Sequence, residues 1–143
     1  MSHTVDLKES EFAAAVEKEC LVLIDFWAPW CGPCKAFGPI YDKVAADHPD
    51  ATFAKVNTQG EQGIAAGLQI RSIPTLMLFR DGVMLFRQPG MIPEEALRDL
   101  VKQAMALDMD EVRQKVEEEK NKGGQEGQES QEGQEAAGAP ASA

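Results

Sequence analysis

Trp27-Ala28-Pro29-Trp30-Cys31-Gly32-Pro33-Cys34-Lys35 stands where a strand gives way to a helix. Before it runs Leu21-Val22-Leu23-Ile24-Asp25-Phe26-Trp27, apolar except for one acid. Its length and composition suit a central strand buried on both faces. After it a helix is expected from about Cys31 to Asp47. Pro39 lies inside that helix, removes a backbone donor and is expected to kink it. Two cysteines three apart on a first helical turn have Cα atoms about 5–6 Å apart, within the range a disulfide requires. The unpaired N–H groups and positive dipole end of a helix N-terminus favour a thiolate over a thiol. Cys31, at the exposed end, is therefore expected to be the nucleophile, and Cys34, one turn further in, to attack a mixed disulfide formed at Cys31.

Working outward, Ser10 suits the N-cap of a helix over about 11–18, with Phe12, Ala15 and Val16 on one face. Thr52 to Val56 reads as a second core strand and Glu61 to Gly67 as a short helix. Thr75–Phe79 and Val83–Phe86 read as strands around Asp81-Gly82, a hairpin turn signal. A last helix begins after Pro93, with Glu94 and Glu95 at its positive end and Leu97, Leu100, Val101 and Ala104 as its buried stripe. The stripe thins through Leu107, Val112 and Val116, so the helix either runs on or breaks near Leu107 and restarts. Gly123-Gly124 is its first firm stop. The order around the motif is β-α-β-α-β-β-α. The first strands, joined by a helical crossover, should be parallel, and the last two antiparallel.

The chain has 143 residues with a net charge of −10. Residues 1–107 hold 14 acids and 10 bases, while residues 108–143 hold 10 acids and 4 bases. A surface this acidic argues against nucleic acid and anionic membranes as partners. The longest uncharged apolar run, Cys20–Ile24, is far too short to cross a bilayer. No cationic segment followed by an apolar one opens the chain, so no secretory signal is read there. Three cysteines are too few for a disulfide scaffold. Residues 124–135 repeat Gly/Ser-Gln-Glu four times, and nothing bulky and apolar follows Gly123. Such a segment cannot offset its conformational entropy by burial. The expected organisation is a folded domain over 1–107, a helical extension over 108–122 and a disordered acidic tail over 123–143.

Cys-Gly-Pro-Cys in this setting resembles the active site of the thioredoxin family, and the likeness extends over about residues 5–106. Ile73-Pro74-Thr75 resembles the family's cis-proline segment. Asp25 and Lys55 match its buried acid and lysine partner, and Gly90 matches the glycine at its substrate groove. Gln59 departs from the pattern, standing where the family usually has an aspartate. Pro89 stands where a small or β-branched residue is usual, and Pro89 and Met91 are placed to alter which substrates dock. The resemblance implies a three-layer α/β/α sandwich with a central mixed sheet. It also implies a protein-disulfide reductase that works by dithiol–disulfide exchange in cell redox homeostasis and electron transport.

Within that reading the groove is formed by Trp30, Gly32, Pro33, Ile73, Pro74, Thr75 and Gly90, and Trp27 packs beneath the cysteines. Alternation puts Leu23, Asp25 and Trp27 on one face, which is not a polar face, so Asp25 is read as a buried proton acceptor for Cys34. Zinc is the bland alternative for Cys-x-x-Cys. It needs four ligands, and only Cys20, His3 and His48 remain, none at ligand spacing. Cys20 is read as a small buried apolar residue and His48 as lying on a solvated helix end. No bound cofactor is expected beyond the redox-active Cys31–Cys34 pair, since no Gly-x-Gly-x-x-Gly loop is present. The expected partners are disulfide-bonded proteins and a flavin- and NADPH-dependent thioredoxin reductase, for a cytoplasmic monomer. Two other classes fit the same fold. One is a holdase or redox-regulated binding module, and the other is a thiol oxidase or isomerase.

Overall fold

The computed structural model describes residues 3–18 and 20–126. They divide into two units at Ala106/Leu107. The first contains β1 (Val5–Asp6), α1 (Glu9–Val16), β2 (Leu21–Trp27), α2 (Gly32–Ala46), β3 (Thr52–Asn57), α3 (Gln62–Gly67), β4 (Thr75–Arg80), β5 (Val83–Pro89) and α4 (Glu94–Ala106). The five strands form one sheet in the order β1-β3-β2-β4-β5. β2 pairs in parallel with β3 and antiparallel with β4, and β4 pairs antiparallel with β5, as the connections require.

β2 is central because both its faces are apolar. Val22, Ile24 and Phe26 pack with Ala54, Val56, Met77 and Ile64 of α3, against Phe12 and Val16 of α1. Leu21 and Leu23 pack on the other side with Phe37, Tyr41 and Val44 of α2 and with Leu97 and Val101 of α4. The sheet is thus a middle layer with helices on both sides, the expected sandwich. Asp81 and Gly82 have φ of 53° and 83°, the paired left-handed conformation of a two-residue hairpin whose twist matches the strands. A register shift at Leu78/Phe79 bulges the β4–β5 pairing.

Three local details differ from the sequence reading. β1 has no counterpart in it, because two exposed residues are too short to show strand alternation. α1 begins at Glu9 with Lys8, not Ser10, at its N-cap. The Glu11 carboxylate accepts the Lys8 N–H at 2.9 Å, and the Glu61 carboxylate accepts that of Glu9 at 2.8 Å. Two carboxylates therefore satisfy the helix start, and Ser10 falls inside the first turn. The helical pattern does break after Ala106, and α5 (Met109–Glu126) follows. The Asp108 side chain caps α5, accepting the N–H of Asp110 at 3.0 Å. α5 runs past Gly123-Gly124, the expected stop. Glycine weakens a helix by about 1 kcal/mol but keeps its N–H donor, so it does not end one as proline does. The expected disorder beyond Glu126 lies outside the described residues. Among those residues no helix is long and apolar enough to cross a membrane.

Candidate active site

The site forms where β2 stops. Trp27 is its last residue, and the Trp27 carbonyl accepts the backbone N–H and the hydroxyl of Thr58, at 2.8 and 3.1 Å. These bonds tie the end of β2 to the segment after β3. The chain turns through Ala28–Trp30, and Cys31 takes the N-cap of α2 with extended backbone (φ −87°, ψ 117°). Gly32 and Pro33 supply the first turn, where a proline loses no hydrogen bond. Cys31 and Cys34 are joined by a disulfide, with Cα atoms 5.3 Å apart.

The two sulfurs differ in surroundings more than in exposure. The expectation that Cys31 is the exposed member is corrected here: Cys31 is 5% and Cys34 3% exposed, because both pack among Ala28, Trp27 and Ile73. The asymmetry lies in the helix start. The Cys34 N–H donates to Cys31 Sγ at 3.2 Å, so Cys31 Sγ occupies the place of an N-capping oxygen. The dipole end of α2 acts on both sulfurs in this first turn, and the Cys34 N–H is an additional donor that only Cys31 Sγ receives. Cys31 Sγ also lies 3.7 Å from the Ile73 carbonyl oxygen.

The second wall is the segment before β4. The Ile73–Pro74 peptide is cis, and the buried Pro74 accepts the Gly90 N–H on its carbonyl at 2.7 Å. Gly90 has φ +90°, a conformation that side chains disfavour. Ile73 thus lies beside Cys31, joined to Pro74 by the cis peptide, and Gly90 is tied to Pro74 by this hydrogen bond. Trp30, Gly32 and Pro33 are exposed on the other side, Trp30 by 70%. Thr75 is not available to a substrate as expected: it is buried, and its hydroxyl donates to the Ser72 carbonyl. It anchors the turn into β4 instead.

Asp25 sits beneath α2 in the middle of β2, in register with Lys55 of β3 and Leu76 of β4. It is fully buried, and neither carboxylate oxygen meets a hydrogen-bond partner among the described residues. Burial raises its pKa from 3.8 to about 7, against the opposing pull of the Lys55 ammonium. Lys55 Nζ lies 4.6 Å from the centroid of the Trp27 ring, a cation–π contact. Trp27 packs against Ala28, Cys31 and Cys34, with its indole N–H buried and unpartnered among the described residues.

Tyr41 is a member of this neighbourhood that the sequence reading missed. It lies two turns beyond Cys34 on α2, fully buried, and its hydroxyl donates to the Ala54 carbonyl at 2.8 Å. Its pKa is pushed up by burial first and by Asp25 second. The seven-residue spacing from Cys34 was the available signal. A cleft of about 360 Å³ borders Cys34, Trp27, Lys35 and Lys55 but not Cys31. The disulfide therefore has two sides, with Cys31 toward the Ile73 carbonyl and Cys34 toward a cleft lined by Lys35, Lys55 and Asp42. Cys20 is half-buried against the α1/α3 side of the sheet, and His48 stacks on Phe53 with ring centroids 6.4 Å apart. Both stand apart from this cluster, at the other end of β2 and beyond the C-terminus of α2. Among the described residues no three His, Cys, Asp or Glu side chains are grouped to hold a metal ion.

Residues 3–103 match the family model for thioredoxin. A Streptomyces coelicolor protein named "Putative thioredoxin 2" is 52% identical over 124 residues, covering 87% of this chain and 92% of that one. A thioredoxin of Mycoplasmoides gallisepticum is 41% identical over 102 residues, covering 71% of this chain and all of that one. Among solved structures, a mutant thioredoxin from Halobacterium salinarum superposes with a TM-score of 0.67 at 32% identity, covering 73% of this chain and 93% of that one. With a thiol pair at a helix start, a cis-proline wall and these relatives in agreement, the chain belongs to the thioredoxin family, and its Cys31–Cys34 pair is the redox centre of a thiol–disulfide oxidoreductase that works by dithiol–disulfide exchange.

Proposed function

We propose that the exchange runs in the reducing direction, on protein disulfides, with Asp25 as the proton acceptor for Cys34. The observation that assigns the attacking sulfur is the single N-capped one, Cys31 Sγ, and Gly32-Pro33 between the cysteines, which resembles the reducing members of the family, supports the direction. In the dithiol the Cys31 thiolate attacks one sulfur of a substrate disulfide. A bond forms between Cys31 and that sulfur, and the second substrate sulfur leaves as a thiolate and takes a proton from solvent. Cys34 gives its proton to the Asp25 carboxylate. Its thiolate then attacks Cys31 Sγ, closing the Cys31–Cys34 disulfide and releasing the first substrate sulfur as a thiolate. A carboxyl group with a pKa near 7 exchanges protons at neutral pH, as this second step requires. Lys55 holds Asp25 from rising further. The groove of Trp30, Gly32, Pro33, Ile73, Pro74 and Gly90 takes the substrate chain, and Thr75 braces it from within. An extended substrate would pair with the Ile73 backbone as an added strand.

Family membership supplies the coarser facts: thioredoxins act on disulfide substrates, are reduced by thioredoxin reductase and need no bound cofactor. For this chain the proposal is that such a reductase restores the dithiol and that the protein works as a cytoplasmic monomer. Reduced glutathione and the reductase keep thiols open in that compartment. Measuring the Cys31–Cys34 potential tests the direction. A value near the about −270 mV general to thioredoxin supports a reductase, and one near about −120 mV would place the chain with the dithiol oxidases. A chain that acted as a holdase would work equally well with both cysteines replaced.

A further inference from the structure

The two ends of the sheet differ in charge. Because of the strand directions, segments 7–8, 28–31, 58–61, 68–74 and 90–93 all emerge at the end that holds the disulfide. Together they contain one acid, Glu61, and two bases, Arg71 and, beyond the edge strand β1, Lys8. The Glu61 carboxylate is engaged by the Glu9 N–H at 2.8 Å. Arg71 is exposed, and its side chain has no hydrogen bond or ion pair among the described residues. Lys35, on the first turn of α2 beside Cys34, is also exposed and equally unpaired among them. Gln59, in the segment after β3, is neutral and exposed. At the opposite end of the sheet the connecting segments carry Glu17, Asp47, Asp50 and Asp81 against Lys18. In a chain of net charge −10, two unpaired cations, Arg71 and Lys35, thus flank the disulfide, and the one acid lining the cleft beside Lys35, Asp42, accepts the His3 N–H at 2.7 Å.

We propose that this site selects disulfide substrates whose cysteines are flanked by aspartate or glutamate, with Arg71 and Lys35 reading the carboxylates. The proposal rests on the exchange reading above and narrows its substrate class. Arg71 lies two residues before Ile73, whose carbonyl oxygen is 3.7 Å from Cys31 Sγ. A substrate strand paired along Ile73 advances about 6.5 Å every two residues, so a side chain two residues from the substrate cysteine reaches Arg71. The guanidinium can then meet a carboxylate through two parallel hydrogen bonds. Lys35 offers a point charge from a different element, next to the resolving cysteine. The exposed Trp30 adds apolar contact without charge preference. Screening confines these effects to about 10 Å at 0.1 M salt, so the cations at the groove dominate docking while the acids at the far end repel an acidic segment from the wrong face.

The test uses the full chain, reduced beforehand, and two disulfide-bridged peptides identical except that glutamates in one replace lysines beside the cysteines of the other. The rate of oxidation of the protein by each peptide is measured at about 20 mM and about 500 mM salt. The acidic peptide should react about three- to tenfold faster at low salt, with the preference nearly lost at high salt. Arg71→Gln and Lys35→Gln should each lower the ratio about twofold or more, and the double variant should abolish it. Lys102→Gln, exposed on α4, should leave the ratio unchanged. Equal rates for the two peptides, or an undiminished ratio in the double variant, would overturn the selectivity while leaving disulfide exchange intact. Failure to react with either peptide would overturn the exchange reading and this proposal with it.

Discussion

The proposed division of roles between the cysteines rests on one hydrogen bond and on Asp25. The Cys34 N–H points at Cys31 Sγ, a donor that favours negative charge at Cys31 over Cys34. Cys31→Ser should abolish exchange, and Cys34→Ser should accumulate a covalent adduct between Cys31 and the substrate. Mass spectrometry after incubation with a disulfide substrate checks both, and an adduct trapped by Cys31→Ser would reverse the assignment. Asp25 gives a prediction with a sign. Its folded pKa of about 7 exceeds the unfolded 3.8, so between those values the folded state holds more protons than the unfolded state. Stability therefore falls as pH rises from about 4 to about 7 and stays lowered above that. Raising the pKa from 3.8 to about 7 corresponds to a loss on the order of 4 kcal/mol. Asp25→Asn should be more stable than the parent by a few kcal/mol at pH 8, with the difference vanishing near pH 4, and slower in resolving the mixed disulfide at neutral pH. Melts and single-turnover rates across that range check it. A variant equal in stability at pH 8 and equally fast would remove the case for a buried, working carboxyl.

Single backbone conformations decide how the elements meet. A methyl group at either Gly32 or Gly90 would meet nothing within 4 Å, so neither position is closed by crowding. They differ in φ: Gly90 is at +90°, while Gly32 lies in the first turn of α2. Gly90→Ala should destabilise the fold by about 1–2 kcal/mol, whereas Gly32→Ala should change it by less than about 0.5 kcal/mol. Denaturant midpoints of the two variants make the comparison. A larger loss at Gly32 would mean that the helix start, and not the β5–α4 corner, is the constrained element. α4 is held from the side by the sheet: Arg80, closing β4, donates to the Ala104 and Met105 carbonyls at 2.7 and 3.0 Å. A cationic side chain thus satisfies the last turn of the helix, a role that Arg80's place at a strand end gave no sign of.

Across the whole chain, every core cluster of the described residues draws on positions no later than Met105. A chain ending at Leu107 should therefore still unfold cooperatively and exchange disulfides, and one ending at Lys122 should match the parent in melting temperature and rate. Loss of a cooperative melt in the chain ending at Leu107 would show that residues beyond 107 are needed for the fold. The sequence by itself determined the position and type of the main elements, because β2's uninterrupted apolar run, the Asp81-Gly82 turn and the helix stripes are local patterns that burial enforces. It also determined Cys31 and Cys34 as a pair, since three-residue spacing on a first helical turn is itself a geometry. Only the tertiary structure decided what depends on residues far apart in the chain. Glu61 reaches across to the start of α1, which begins before Ser10. Thr75 turns inward to Ser72, and Tyr41 comes within reach of the Asp25 charge. Cys31 is buried beside Ile73, 42 residues on, and its sulfur is set apart from that of Cys34 by donors and not by exposure. Periodicity records which face a residue occupies, but the partner on that face is chosen by packing, and packing is a property of the folded chain as a whole.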